Sequence, residues 1–361
     1  MAKVLILANS SSGLYGFRNE LVLELLKKYE VYASLPDETN NKELSEEGCK
    51  IIKTSINRRG MNPLEDLKLF RDYLTLIKQI KPDVVLTYTI KPNVYGGLAC
   101  RIKKIPYICN ITGLGSALEN PGILQRLTKK LYKTGLKNAA TVFFQNSYNL
   151  DYFEKNKLCR SNKVLLPGSG VNVERFSVLP WPEDKTRFIF ISRVMKEKGI
   201  EEFFDCAKAV RNKHDDVEFH VLGYCEEEYE TILQDLNKEG IFVYHGSVLD
   251  VRPYLAQVKC LIHPSYHEGM SNVCLEAAAC GRAVITTDRP GCRETVIDGE
   301  TGYIISARNS DALIQAVERF IALSDDEKKA MGEASRKHVE EKFDRNIVVK
   351  EYLNQLERII G

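Results

Sequence analysis

No two of the ten cysteines stand in a C-x-x-C pair. That excludes a zinc ribbon or a tight disulfide framework and suits buried thiols in a reducing cytoplasm. No run of about 18 apolar residues occurs, so no spanning helix is predicted. The start, MAKVLILANSSSGLYGF, carries one lysine and a short apolar stretch that soon turns polar, which fits a buried first strand better than a signal peptide. There is no H-E-x-x-H and no D-x-D triplet. Pro264, directly after His263, prevents the helical presentation that would pair it with His267 on a metal. Neither a metal nor a cofactor is expected. Low-complexity segments and short repeats are absent, and all six histidines follow residue 213.

What is present divides in two. The net charge of +2 is uninformative as a whole, but residues 1–170 hold 26 Lys and Arg against 15 Asp and Glu, leaving 25 against 34 beyond Gly170. The basic half is expected to meet something anionic, a phosphate or a membrane. Length also favours two domains, because 361 residues exceed what one ordinary core organises.

Short apolar runs alternate with helical patterns from the start. KVLILAN is followed by a 3.6-period stretch from Phe17 to Tyr29, then by EVYASL, DVVLTY, YICNIT, TVFFQN and KVLLPG. After the turn-rich PGSGVNVERFSVLPWPEDKT the rhythm restarts with RFIFISR, VEFHVLG, IFVYHGS, KCLIHPS, AVITTD and GYIIS. This α/β pattern predicts two Rossmann-like, doubly wound domains, 1–170 and 171–345, with ligands at the carboxyl ends of the strands and a cleft between the domains. Residues 346–361 form a last helix expected to cross back to the first domain.

The second half carries the phosphate chemistry. Arg193 and Lys198 flank a loop that opens a helix, and a planar guanidinium and a point charge converge there on one diphosphate. Gly223 ends a strand where backbone must approach a ligand, and His245, Gly246 and Ser247 end the next. In HEGMSNVCLE, Ser271 or Asn272 caps a helix that stops at Gly281. The amides of Ser271, Asn272 and Val273, after Met270, form a predicted anion site. Glu268 precedes that helix and Glu276 lies within it. Each carboxylate suits a vicinal diol, one a ribose and the other a sugar ring.

SRVMKEKGIEEF, the long stretch from HPSYHEGMSNVCLEAAACGRAV to GYII, and the E-x7-E pair Glu268/Glu276 resemble the nucleotide-sugar half of glycosyltransferase family 4, retaining enzymes of GT-B fold. The resemblance covers most of residues 187–345. It implies that Arg193 and Lys198 bind the donor diphosphate, Glu276 the ribose and Glu268 the donor sugar near the reacting carbon, while His245 to Val248 receive the base. GLYGFRNELVLEL, RRGMNPLEDLKLF, IKPNVYGGLACRIKKIPYICNITGLGS and LPGSGVNVERF are similar, more loosely, to bacterial members that extend undecaprenyl-diphosphate-linked sugars. Residues 1–170 then become the acceptor-binding domain. Where relatives place a histidine before K-x-N, this chain has Ile90-Lys91-Pro92-Asn93, so Thr89, Lys91 or Asn110 are the candidates to take over the histidine's role.

Gly13 and Gly16 resemble a flexible loop that approaches donor phosphates, and Arg18 and Lys91 are candidates for the acceptor diphosphate. Arg126, Lys129, Lys130, Lys133 and Lys137 follow helical spacing beside Leu124, Leu127 and Leu131 with no acid between them, a helix suited to an anionic membrane surface. Arg58, Arg59, Arg101, Lys103 and Lys104 add to that basic face.

The expected reaction moves a hexose or N-acetylhexosamine from a UDP-sugar to a polyprenyl-diphosphate-linked acceptor on the inner face of the cell membrane, in capsule, O-antigen or other glycan assembly, with no nucleic-acid partner. The alternatives are a non-hydrolysing UDP-sugar 2-epimerase, a transferase with a soluble acceptor, and a sugar-nucleotide-binding scaffold.

Overall fold

A computed structural model describes residues 1–57, 60, 62–114, 118 and 122–361. The chain falls into two compact units, Met1–Ser169 with Arg345–Gly361, and Gly170–Asp344.

Among the described residues the first unit has seven parallel strands: β1 (Lys3–Leu7), β2 (Glu30–Leu35), β3 (Lys50–Lys53), β4 (Val84–Tyr88), β5 (Tyr107–Ile111), β6 (Thr141–Phe144) and β7 (Asn162–Leu165), in the order β3-β2-β1-β4-β5-β6-β7. β4 and β5 are buried at every position, as strands covered by helices on both faces must be. β3, KIIK, has no counterpart among the predicted strands. It is an edge strand whose two ends are exposed lysines, so its apolar run is only two residues long.

The first helix runs Ser11–Leu26, beginning six residues before Phe17 and ending before Tyr29. Ser10 explains the early start, because its Oγ accepts from the Gly13 N–H at 3.2 Å. Asp37 also accepts from both the N–H and the hydroxyl of Ser11.

The second unit has, among the described residues, six parallel strands: β8 (Thr186–Ile191), β9 (Val217–Leu222), β10 (Val243–Tyr244), β11 (Cys260–His263), β12 (Ala283–Thr287) and β13 (Gly302–Ile305), in the order β10-β9-β8-β11-β12-β13. Phe188, Phe190, Phe203 and Phe219 fill the core on one face of this sheet, and Ile189, Leu222, Leu261 and Leu275 on the other. Strand order reverses between β1 and β4 and again between β8 and β11. Loops leaving the carboxyl ends diverge at these points and open a crevice in each sheet. All ten cysteines are buried and free. Burial pushes the Cys109 and Cys274 thiols up to about 12, so neither is a nucleophile.

The helix Arg345–Ile360 belongs to the first unit and buries Val348, Val349, Tyr352 and Leu356 in its core. Tyr352 packs 4.4 Å from Phe143 between ring centroids, and its hydroxyl accepts from Asn110 Nδ2 at 2.6 Å. Thr141 Oγ1 donates to Gln355 Oε1 at 2.9 Å. Replacing Tyr352 by Phe leaves a buried amide without its acceptor. The expected loss is about 1–3 kcal/mol, read as a lower urea midpoint with an unchanged slope; a wild-type midpoint would mean that this bond does not help anchor the helix.

Candidate active site

The site grows from the β8/β11 switch point. After β8 the chain passes Arg193 and makes a tight turn at Lys196–Lys198, closed by Gly199 at φ +74°. A Cβ at Gly199 would lie 2.2 Å from the Pro264 carbonyl oxygen, so only glycine lets this turn lie against the loop that follows β11. The Tyr266 N–H donates to the Glu197 carbonyl at 2.9 Å and the Ser265 hydroxyl to the same carbonyl at 3.3 Å. The two loops are thereby tied together.

Their junction brings two side chains to one carboxylate oxygen of a third. Lys198 Nζ lies 2.6 Å from Glu268 Oε1, and His263 Nε2 lies 3.0 Å from the same Oε1. Burial alone would raise the Glu268 pKa, but the His263 hydrogen bond and the Lys198 charge outweigh it and hold the carboxyl near 2. Glu268 is therefore a fixed negative charge at any physiological pH. Arg193 is more exposed and pairs with Glu226 at 3.3 Å. Lys198 and Glu268 meet directly, whereas Arg193 faces solvent at the rim.

Ser271 caps the helix Asn272–Ala279. Its own N–H is spent on the Gly291 carbonyl at 2.7 Å, so the predicted anion site loses that amide. Met270 is buried under this turn, and Glu276 lies half-buried within the helix.

At the end of β9, Gly223 has φ +140°, and a Cβ there would overlap the Ser192 carbonyl at 1.7 Å. Its N–H donates to the Gly246 carbonyl at 2.9 Å, which joins the β8, β9 and β10 loops. His245 Nε2 lies 2.8 Å from His220 Nδ1, the rings are parallel within 2°, and Tyr254 meets His245 edge-on. Val248 packs against the core and Ser247 is exposed.

In the first unit the structure corrects one expectation and divides another. Gly13 and Gly16 lie in the first turns of a capped helix rather than in a flexible loop, because Ser10 and Asp37 fix its start. The four acceptor candidates separate. The Arg18 guanidinium lies 4.3 Å over the Tyr88 ring and lines one small cavity with Asn110 and Tyr352.

Lys91 instead pairs with Asp66 at 2.7 Å, and Tyr95 donates to the other oxygen of Asp66 at 2.8 Å. Asp66 and Lys91 line a separate concavity of about 360 Å³ with Asn57, Glu65 and Lys68. Thr89 has φ +71° and a buried hydroxyl with no partner among the described residues. A β-branched residue in that region is strained, a condition that collects at functional sites.

The basic helix spans Ile123–Gly135. Ile123, Leu124 and Leu127 are exposed, as are Arg126, Lys130 and Lys133. Lys129 lies 5.4 Å over the Tyr152 ring. Lys137 falls two residues beyond the helix end, and Leu131 is half-buried against the core. Arg101 donates to the Thr134 carbonyl at 2.9 Å, while Arg58 and Arg59 lie outside the described residues. No described helix is long and apolar enough to cross a membrane.

Sequence reasoning missed His263, Asp66 and Tyr95. A histidine closing a buried strand five residues before Glu268 was the available signal for the first. The other two become visible only once the helix Pro63–Ile80 packs beside the Pro92–Gly96 turn.

A family model described as "Glycosyl transferases group 1" matches residues 185–322, and one described as "Glycosyl transferase 4-like" matches residues 3–146. A Campylobacter jejuni N,N'-diacetylbacillosaminyl-diphospho-undecaprenol alpha-1,3-N-acetylgalactosaminyltransferase is 27% identical over 98% of each chain. A Staphylococcus aureus capsular polysaccharide biosynthesis glycosyltransferase is 26% identical over 87% of this chain and 86% of its own. Among solved structures, a Rickettsia africae glycosyltransferase superposes with a TM-score of 0.82 at 20% identity, covering 100% of this chain and 99% of its own. An Anabaena protein in complex with UDP and glucose gives 0.81 at 15%, covering 99% and 100%. The fold is GT-B.

The His220–His245 pair generates a pH prediction. Burial, with His245 adjoining, lowers the His220 pKa from 6.5 to about 4. Between those values the unfolded chain binds more protons than the folded one, so this contribution is complete above 6.5 and is lost as pH falls through about 4. Urea titrations from pH 7 to pH 4.5 are expected to show wild type losing up to about 3 kcal/mol more than His220→Asn. Equal losses would remove His220 from the linkage.

Proposed function

This chain is a glycosyltransferase of the group 1, 4-like family, and from that premise we propose that it transfers a hexose or N-acetylhexosamine, with retention, from a UDP-sugar to a polyprenyl-diphosphate-linked sugar. The observation that carries the reading is Glu268, held ionised against Lys198 at the β8/β11 switch point. Lys198, Arg193 and the first amides of the helix Asn272–Ala279 neutralise the donor diphosphate as it departs, which is electrostatic stabilisation of the leaving group without a metal. Glu276 accepts from the ribose hydroxyls, and Gly223 with His245 to Val248 frames the base. Glu268 accepts from a hydroxyl of the donor sugar.

The bond from the anomeric carbon to the β-phosphate oxygen breaks as an acceptor hydroxyl oxygen bonds to that carbon on the same face. Its proton passes to the departing phosphate oxygen, and the products are UDP and the extended lipid-linked glycan. The first unit supplies the acceptor side. The concavity at Asp66 and Lys91 offers an acceptor-only carboxylate beside a donor-only ammonium, which suits sugar hydroxyls. Arg126, Lys130 and Lys133 with exposed Ile123, Leu124 and Leu127 meet the anionic inner face of the cell membrane, where such acceptors reside. The relatives reported above are transferases by name, which favours transfer over epimerisation.

Purified protein given a panel of UDP-sugars is expected to release UDP only when a short-chain polyprenyl-diphosphate N-acetylhexosamine acceptor is present. Glu276→Ala should lower kcat/KM for the donor about tenfold to a hundredfold. Release that ignores the acceptor would overturn the transferase reading, and unchanged kinetics in the variant would remove Glu276 from the site.

Sedimentation with phosphatidylglycerol-containing vesicles tests the membrane contact. Wild type should bind at low salt and detach as salt rises, and Lys130→Glu with Lys133→Glu should abolish binding. Binding that survives both changes would place the membrane contact elsewhere.

A further inference from the structure

His263 closes β11 with its side chain 2% exposed, deep in the second unit. Its ring makes one hydrogen bond, from Nε2 to Glu268 Oε1 at 3.0 Å, and its Nδ1 is buried with no partner among the described residues. The backbone is held as well. His263 lies opposite Thr286 in the β11–β12 ladder, and the Thr286 hydroxyl donates to the His263 carbonyl at 2.9 Å. The ring therefore projects from a rigid strand end, and its single polar contact is the carboxylate.

A carboxylate only accepts, so the Nε2 atom carries the proton. Lys198 Nζ reaches the same Oε1 at 2.6 Å. Both donors use one oxygen, and Oε2 of Glu268 takes no hydrogen bond among the described residues and is not sealed from solvent. Lys198 sits on a turn with a diphosphate to serve, so its hold on Glu268 is shared with the donor. The other ring nitrogen of His263 has no partner among the described residues, so no second group there competes with Glu268 for the ring.

Resting on the proposed reading, we infer that His263 is a positioning residue: it fixes the Glu268 carboxylate through Oε1 so that Oε2 is presented to a hydroxyl of the donor's sugar. Its influence is thus confined to the sugar moiety of the donor. The nucleotide, held by other residues, is outside its reach.

The test compares wild type, His263→Leu, which fills the volume without a donor, and His263→Gln, whose amide N–H reaches about as far as Nε2. Calorimetry with UDP and with UDP-N-acetylgalactosamine separates nucleotide from sugar recognition, and thermal melting reports folding. Expected is a Leu variant that binds UDP within about twofold of wild type but has lost at least tenfold in affinity for the nucleotide sugar relative to UDP, and a Gln variant that recovers most of that loss.

A Leu variant with wild-type discrimination between the two ligands overturns the role of His263 alone. A Leu variant that loses UDP and nucleotide sugar equally, or a Gln variant no better than Leu, makes the residue structural and also overturns it. Wild type that binds neither ligand sinks the UDP-sugar reading itself, and the inference with it.

Discussion

The contact between Lys198 and Glu268 constrains everything around it. At 2.6 Å and an effective dielectric of about 20, the attraction is roughly 6 kcal/mol. Burying two ions costs several kcal/mol each. The terms nearly cancel, so the pair adds little net stability and an apolar pair would hold the loops as well. What it supplies is a fixed carboxylate and a fixed ammonium within one hydrogen bond of each other. That requirement dictates Gly199, because any Cβ there would drive the turn away from Pro264. The Tyr266 and Ser265 bonds to the Glu197 carbonyl follow from the same need, since they take up backbone and hydroxyl groups that close packing would otherwise strand.

The same logic governs where polar residues sit in each sheet. In the β11 and β8 strands the apolar core residues give way to polar residues at or just after the carboxyl end. β11 ends in His263, and β8 leads into Ser192 and Arg193. β4 ends at Tyr88 and is followed by the strained Thr89 and the turn Pro92–Gly96, whose wide π-type winding turns the chain beside the sheet. Asn93 in that turn donates to the Asn110 carbonyl at 2.8 Å and meets the Thr87 hydroxyl at 2.6 Å, so the turn is stitched to β4 and β5. Backbone strain at Thr89 persists because these bonds over-determine it.

Much of this was legible in the sequence, because parallel strands buried on both faces appear as continuous apolar runs. Of the thirteen strands among the described residues, twelve fall on such predicted apolar runs, and the exception, KIIK, is an edge strand with lysines at both ends. The charged and polar residues at strand ends were legible as types. Their partners were not: nothing in local spacing says that Lys198, seventy residues from Glu268, meets it, or that Ser271 spends its amide on Gly291. These pairings are set by loop-to-loop packing, which is tertiary information. Arg18 shows the same limit. Its position after GLYGF is local, but the Tyr88 ring under its guanidinium is a partner that only the fold supplies.

The charge division between the two halves gains physical content from the helix Ile123–Gly135. On the proposed reading, three exposed cations on the helix, at about 1 kcal/mol each near an anionic leaflet, would supply about 3 kcal/mol, and Lys137 just past its end would add a fourth contribution of the same size. Lys129 is already engaged with Tyr152 and adds less. Partial insertion of Ile123, Leu124 and Leu127 contributes a few kcal/mol more, at roughly 25 cal/mol per Å² of apolar surface removed from water. The total corresponds to a dissociation constant in the millimolar to micromolar range. On the proposed reading that strength suits an enzyme of lipid-linked sugars. It concentrates the protein where its acceptor is confined, yet releases it readily enough to exchange between acceptor molecules, which a spanning helix would not allow.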